Sequence, residues 1–249
     1  MDLHLPISIR RESIQVSSAR PFAGNFFTHI ALKPVPYLNM HAEIELGICL
    51  DGCVRRHWGA YYRDCYPGDI WFCGSWDPHG SSIIEAPTTY LILIFSPSVL
   101  TTVNMPGVTN LRWLDPFTAP PQEQPTTADV IRQEVCELAY RIAWTMWCSK
   151  PGAWRVRLQV LELLSLVLDY TPQTPKTALP NALFHHSDIA PALDLVLESQ
   201  RYVTTEEAAE ACGMNRNRFM STFRELMGIS FANYALRHRF GNAARDLAE

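Results

Sequence analysis

The chain has 249 residues, of which 47% are hydrophobic, and this is enough for one large domain or two modest domains with separate cores. Its formal net charge of −4 at pH 7 excludes a uniformly basic nucleic-acid-binding protein, so any DNA binding must come from a local basic face. The N-terminus lacks the apolar core of a signal peptide, and the most apolar strand-like run, residues 90–95, is too short to span a bilayer. We therefore expect a cytoplasmic protein with no membrane partner.

The first part of the chain has the pattern of short strands. From about residue 24 to residue 96, apolar and β-branched runs are separated by turn sequences at intervals of roughly eight to twelve residues. Asp51-Gly52 predicts a tight hairpin between the runs on either side of it, because this pair tolerates the positive φ angles of such turns. Pro67-Gly68-Asp69 predicts a second turn. This density of strands is typical of a small β-barrel or sandwich.

Helical spacing replaces the strand pattern in the middle of the chain. Apolar residues recur at three- and four-residue intervals over 128–147 and 154–170, which predicts two consecutive amphipathic helices. The proline-rich stretch that follows predicts a linker. The sequence therefore divides into a β-domain with its helices (1–170), a linker (171–186) and a helical segment (187–249), and the fold class is α+β.

The last segment has the layout of a helix-turn-helix. A short helix over 206–211 is followed by a turn at Gly213, and Asn215 caps a second helix that ends near Met227. Apolar residues at i, i+4 and i+7 of this second helix predict a buried stripe, formed by Phe219, Phe223 and Leu226. The side chains outside the stripe are mostly polar and basic, as in a helix that reads the major groove, although they are also what a solvated face would carry.

The details of this segment carry a family resemblance. They include Glu207-Ala208-Ala209 in the entry helix, Gly213 in the turn, the frame of Phe219, Phe223 and Gly228, then Tyr234 and the Arg237-x-Arg239 pair. The segment resembles the first half of the DNA-binding domain of the AraC/XylS family of transcription regulators. The resemblance implies that the DNA-binding residues are Asn215, Arg216, Asn217, Met220, Ser221 and Arg224.

The family's domain holds two helix-turn-helix units joined by a long linker helix, whereas this sequence reaches only into that helix. We therefore expect a segment truncated before the second unit. Its affinity for DNA should be weak, because half of the groove and phosphate contacts are absent.

Four polar residues of the β-domain form a second candidate site. His41, Glu43 and Glu45 alternate, which places them on one face of a predicted strand, and His79 follows a turn about two strands later. Two histidines and two carboxylates that converge inside a barrel can hold a divalent metal ion. The other interpretation is that the histidines form hydrogen bonds with a ligand or with neighbouring strands.

The same residues carry a second resemblance. The spacing His41-x-Glu43-x-Glu45, with Pro67-Gly68-Asp69 and His79, is similar to the two motifs of a cupin domain, a sensor barrel common in AraC-type regulators. Glu43 stands where metal-binding cupins have a second histidine, so we assign no cofactor and keep a divalent metal as the alternative. Aromatic side chains with a polar group can stack on a flat metabolite. The predicted ligand-binding residues are His41, Glu43, Glu45, Trp58, Trp71 and His79.

Together these patterns predict a non-enzymatic, DNA-binding transcription regulator. Its cupin-like barrel is expected to sense a small metabolite, a sugar or a small organic acid, and its partners are DNA, this effector and a second copy of the chain. The helices over 128–147 and 154–170 are the expected dimer surface, because dimeric regulators match paired DNA half-sites. The alternative is a metal-dependent cupin enzyme that uses His41, Glu43, Glu45 and His79.

Overall fold

A computed structural model describes residues 9–11, 14, 16–35, 37–101, 113–148, 153–171, 189–199 and 201–246 of the chain. The fold has the predicted α+β class, with strands up to Phe95 and helices after it. Within the described ranges the strands are β1 (Ile9–Arg11), β2 (Phe22–His29), β3 (Leu38–Met40), β4 (Ile44–Asp51), β5 (Val54–Trp58), β6 (Tyr61–Cys65), β7 (Ile70–Cys73), β8 (His79–Ile83) and β9 (Thr88–Phe95).

The strands form two sheets that face each other. The five-stranded sheet has the order β1-β3-β8-β5-β6, and the four-stranded sheet has the order β2-β9-β4-β7. Neighbouring strands are antiparallel except for β1 and β3, which are parallel. Side chains join the sheets: the Trp58 indole of β5 donates a hydrogen bond to the carbonyl oxygen of Phe72 in β7 at 3.0 Å. The predicted small barrel or sandwich is therefore a two-sheet β-domain.

The hairpin predicted at Asp51-Gly52 is wrong in its pairing. Gly52 has a φ of 70°, as a tight turn requires, but β4 pairs with β7 and β9 whereas β5 pairs with β6 and β8. The turn packs against the start of β9, because the Cys53 backbone N–H donates to the Thr88 hydroxyl at 3.0 Å. A Cβ on Gly52 would lie 2.3 Å from the carbonyl oxygen of Pro87. With these contacts the chain crosses from the four-stranded sheet to the five-stranded sheet at this turn, and β5 does not pair with β4.

Strand β4 is buried on both faces, and its alternate residues belong to different cores. Ile44, Leu46 and Ile48 pack into a large core that also contains helical residues. Cys49 points the other way, into a smaller core that includes Trp71. The Trp71 indole lies against Gly47, where a Cβ would be only 1.9 Å from the ring. This close approach requires glycine in the middle of a central strand.

The helices that follow are α1 (Ser98–Thr101), α2 (Asp115–Thr118), α3 (Arg132–Trp147), α4 (Ala153–Asp169), α5 (Ala190–Glu198), α6 (Thr205–Ala211), α7 (Arg216–Met227) and α8 (Phe231–Asp246). The two amphipathic helices predicted over 128–147 and 154–170 are confirmed as α3 and α4, with a short 3-10 turn before α3. The apolar face of α3 packs on β4 of the four-stranded sheet, and α3 and α4 pack on each other. Among the helices that the structure describes, none is long and apolar enough to cross a membrane.

The helix-turn-helix geometry is formed by α6 and α7. Thr204 and Glu207 make a reciprocal capping box at the start of α6, and the Asn215 side chain accepts a hydrogen bond from the Arg218 backbone N–H at the start of α7. Gly213 and Gly228 have φ values of 62° and 70°, which allow sharp turns before and after α7. The predicted stripe is also confirmed, because Phe219, Phe223 and Leu226 are buried.

The C-terminal helices pack against the β-domain and share its larger core. Gly228, at the end of α7, lies close to Thr118 of α2, and the Ser18 hydroxyl donates a hydrogen bond to the Glu198 carboxylate of α5. The predicted linker over 171–186 lies outside the described residues apart from Thr171. The end of the DNA-reading helix predicted from the sequence is thus in direct contact with the β-domain.

Candidate functional site

A charged pair is buried between the two sheets. The Arg56 guanidinium of β5 donates a hydrogen bond to the Glu45 carboxylate of β4, and the two side chains are 3% and 4% exposed. The Trp71 indole N–H donates to the same carboxylate at 3.2 Å, and Arg56 also donates to the Ser81 hydroxyl at 2.8 Å. These bonds offset the cost of removing both charges from water.

Both predicted histidines reach the second oxygen of the Glu45 carboxylate. The Nε2 atom of His79 lies 3.3 Å from Glu45 Oε2, and the Nε2 atom of His41 lies 3.7 Å from it. Glu43 approaches from the other side, with its Oε2 atom 3.6 Å from Nδ1 of His41. The structure therefore brings together the four polar residues that the sequence singles out.

The expected arrangement of these residues on one strand face is wrong. Strand β4 begins at Ile44, so only Glu45 belongs to it, while His41 and Glu43 lie in the preceding segment. The backbone of that segment is held by another contact, because the Trp76 N–H donates to the His41 carbonyl oxygen at 2.7 Å. His41 and Glu45 meet through this bend and not through strand alternation.

The loop between β7 and β8 positions His79. Trp76 is buried and has a φ of 66°, a left-handed conformation that a bulky residue adopts only under constraint. The Gly74 N–H donates to the Asp77 carboxylate at 3.1 Å, and the Asp77 carbonyl oxygen lies 2.6 Å from Nδ1 of His79. With Nδ1 directed at this carbonyl, the Nε2 atom of His79 faces Glu45.

Burial and Arg56 set the protonation states in this cluster. Burial alone would raise the pKa of the Glu45 carboxyl, but the charge of Arg56, together with the nearby imidazoles of His79 and His41, holds that pKa well below its usual range. Burial lowers the pKa of His79 to about 4, although Glu45 opposes the shift. Since His79 is then neutral near pH 7, Arg56 is the charge that keeps Glu45 ionised. Burial raises the pKa of Glu43.

The six residues predicted to bind a metabolite are all buried, none of them more than 7% exposed. Trp58 and Trp71 pack in the smaller core, and Trp71 is bonded to Glu45. The two cavities described for the molecule are lined by other residues. A metabolite in the barrel would have to displace packed side chains, and the assignment of these six residues to an effector stays a prediction.

The cluster has the dimensions of a three-ligand metal site. Ligand atoms of His41, Glu45 and His79 all lie within 4.8 Å of one another. A divalent ion held at about 2.0–2.2 Å by nitrogen and oxygen ligands needs comparable separations, so the donor set fits such an ion. Arg56 opposes it, because its guanidinium already neutralises the Glu45 carboxylate from the other side.

Helix α7 presents the polar face expected of a DNA-reading helix. Its buried side is the phenylalanine stripe, while Arg216, Asn217, Ser221 and Arg224 are exposed and Met220 is half-buried. Neighbours hold several of these residues. Arg216 donates to Glu206 of α6 at 2.6 Å, and the Ser221 hydroxyl donates to the Arg218 carbonyl oxygen at 2.9 Å. Asn217 and Arg224 stand on the face that points to solvent.

Arg56 is not among the site residues predicted from the sequence. Its position indicates a buried role, because Val54, Arg56 and Trp58 alternate along β5, with two apolar residues on the same face as the arginine. The exposed fractions of Val54, Arg56 and Trp58 are 0%, 2% and 7%, respectively. Apolar residues two positions before and after Arg56 lie on the same face of the strand, and this alternation was the sequence signal that the Arg56 side chain points inward.

No family model matches the chain, and no curated protein matches it. Among solved structures, ToxT from Vibrio cholerae O395 aligns over 90% of this chain and 82% of its own, at 9% identity and a TM-score of 0.49. An oxalate decarboxylase OxdC mutant from Bacillus subtilis aligns over 30% of this chain at 24% identity and a TM-score of 0.26. The chain covers 21% of that decarboxylase.

We expect Arg56→Met to destabilise the fold by about 3 to 5 kcal/mol, because it leaves the buried Glu45 carboxylate without a neutralising positive charge. Urea unfolding near pH 7 measures this loss. Adding Glu45→Gln to Arg56→Met should recover part of the stability, since the amide carries no charge.

The neighbouring Arg55 supplies the matched control. It pairs with Asp64 at 2.6 Å near the surface, with about a third of its side chain exposed. Arg55→Met should therefore cost no more than about 1 kcal/mol. Equal losses for the two arginine variants would contradict the role given to the buried pair.

Proposed function

We propose that the chain is a DNA-binding transcription regulator of the AraC/XylS type. The observation that carries the proposal is helix α7, which is capped at both ends, anchored by Phe219 and Phe223, and polar on its outer face. It follows α6 after a tight glycine turn, as the recognition helix follows the first helix in a helix-turn-helix. An α-helix of this kind fits the major groove of DNA.

The outer face of α7 has the chemistry for two kinds of contact. Asn217 offers an amide, which forms paired hydrogen bonds with adenine, and Arg224 offers a guanidinium suited to guanine or to phosphate. Arg216 is paired with Glu206, so it would exchange this carboxylate for a phosphate when DNA binds. Because the chain is acidic overall, this local basic face is where DNA attraction would concentrate.

The β-domain is the proposed sensor. Its effector is a small metabolite, a sugar or a small organic acid, and binding would act by favouring one arrangement of β-domain and C-terminal helices. The contact between Thr118 and Gly228 supports such coupling, because it joins the β-domain segment to the end of α7. Under this proposal the protein works without catalysis.

We expect the chain to enrich specific duplexes from a random DNA pool, and Asn217→Ala and Arg224→Ala to weaken binding to the selected duplex. The expected loss is about tenfold to a hundredfold, since one good base contact contributes about 1–3 kcal/mol. Fluorescence anisotropy at fixed salt concentration measures it.

Arg20→Ala is the matched control for the DNA experiment, because Arg20 is an exposed arginine just before β2, far along the chain from the reading helix. It should leave DNA affinity unchanged. A pool without enrichment, or equal effects of the three variants, would contradict the proposed function.

We further propose that the protein forms a homodimer through α3 and α4. Trp154 and Leu158 support this surface, because they are adjacent on α4 and are 63% and 56% exposed. Leu158→Glu should shift the sedimentation of the protein from dimer to monomer, because it places a charge in the interface. The control Leu32→Glu changes a leucine that is 67% exposed in the β-domain, and it should leave the dimer intact.

The second candidate function is a metal-dependent β-domain, and the convergence of His41, Glu45 and His79 favours it. A bound divalent ion would supply Lewis-acid chemistry. The candidate requires one tightly held ion per chain, measurable by elemental analysis after incubation with Zn²⁺ or Mn²⁺. His79→Gln should abolish that binding, while His57→Gln, which alters a histidine bonded to Ser82, should not. Protein without stoichiometric metal would eliminate this candidate.

A further inference from the structure

An open cavity of about 690 Å³ lies on the side of the molecule where β2 meets helices α3 and α4. Its volume is within the range of small-molecule sites, about 300–1,000 Å³. It is separate from the buried cluster between the sheets. Its lining is formed by Phe26, Tyr140, Arg141, Ala143, Trp144, Thr145, Trp147, Cys148, Arg155 and Gln159.

Aromatic rings make up much of the cavity wall. Tyr140, Trp144 and Trp147 lie three or four residues apart on α3 and therefore share one face of the helix. Phe26 of β2 approaches Tyr140 with a distance of 6.1 Å between ring centroids. Trp144 is 66% exposed, an unusual state for a large indole in water. Such walls suit a flat apolar body that can stack between them.

Two arginines give this cavity a positive charge, and they differ in their partners. Arg141 is paired with Glu162 of α4 at 3.1 Å. Arg155 is exposed and has no carboxylate within ion-pair distance in the part of the chain that the structure describes. The cavity thus has a guanidinium that is not neutralised and that can bind a carboxylate through paired hydrogen bonds.

Gln159 adds a polar group one helical turn after Arg155. Its side-chain oxygen is buried and has no hydrogen-bond partner among the described residues. A buried acceptor without a partner is costly, and a ligand hydroxyl or N–H would satisfy it. Arg155 and Gln159 lie at i and i+4 on α4, so they face the same part of the cavity.

We propose that this cavity is a binding site for a small aromatic carboxylate. The flat ring lies against Trp144 and Trp147, and the carboxylate pairs with Arg155. The Gln159 oxygen can accept a further hydrogen bond from those ligands whose ring carries a donor group. The site itself is independent of DNA binding, but its role as the regulatory input of the β-domain rests on the proposed function. It places the effector on the helical surface, outside the space between the two sheets.

Isothermal titration of the full chain with naphthoate tests the charge requirement, with naphthalenemethanol as the neutral analogue of the same shape. Naphthoate should bind with one site per chain, and the alcohol should bind at least about tenfold more weakly, because it forms no charge-assisted hydrogen bond. Arg155→Met should remove this preference for the anion. Trp144→Ala should weaken the binding of both compounds.

Two control variants test whether the effects are local. Tyr62→Ala changes an exposed tyrosine of β6 that does not line the cavity, and Arg216→Met changes an exposed arginine of α7. Both should leave naphthoate affinity unchanged. Circular dichroism of each variant checks that the fold is retained, which is expected because Arg155 is at the surface.

Lack of naphthoate binding, or equal binding by Arg155→Met, would overturn the proposal. A second copy of the chain could cover the cavity instead of a small molecule, and sedimentation tests this. If Trp144→Ala dissociates a dimer and no naphthoate binds, the second copy is the occupant and the proposal is wrong. Naphthoate binding by a chain that selects no DNA would support the site and contradict the proposed function, so the two fail separately.

Discussion

The ion pair between Glu45 and Arg56 is the constraint on which the β-domain depends. It joins a strand of each sheet, and it is sealed from water by the two sheets themselves. A buried pair of this kind tolerates little displacement, because separation would leave two charges without compensation. It therefore fixes the spacing and register of the sheets. His41, His79 and Trp71 lie around the Glu45 carboxylate, which the ion pair holds in place.

Strand β4 transmits this order to the rest of the molecule. Its inward residues form the ionic cluster and the smaller core, while its outward residues belong to the core that continues through α3 into the C-terminal helices. A displacement of β4 would disturb the packing on both of its faces, since neither face borders water. Such a strand is a physical route by which an event in the β-domain can reach the end of α7 at Gly228, which contacts the β-domain segment at Thr118.

The local elements could be predicted from the sequence, whereas the pairing of distant strands could not. Helix spacing, the cap at Asn215 and the turn at Gly213 are short-range features, and they are present as expected. The Asp51-Gly52 hairpin failed because a turn sequence specifies local φ angles but not which sheet each flanking strand joins. In the structure, the turn is held against the start of β9 by the hydrogen bond from the Cys53 N–H to Thr88, a residue distant in sequence. The partner of Glu45 was missed for the same reason, since only the facing of two sheets brings Arg56 to it.

The contact between Gly47 and Trp71 has a consequence for how this chain can change over time. The Trp71 ring occupies the volume that a side chain at position 47 would need. The two positions face each other on neighbouring strands, so only one of them can carry a large side chain. A larger residue at position 47 becomes acceptable only where position 71 is smaller. Among descendants and relatives of this chain, the two sites should therefore vary as a pair, with an aromatic ring at one accompanied by glycine at the other.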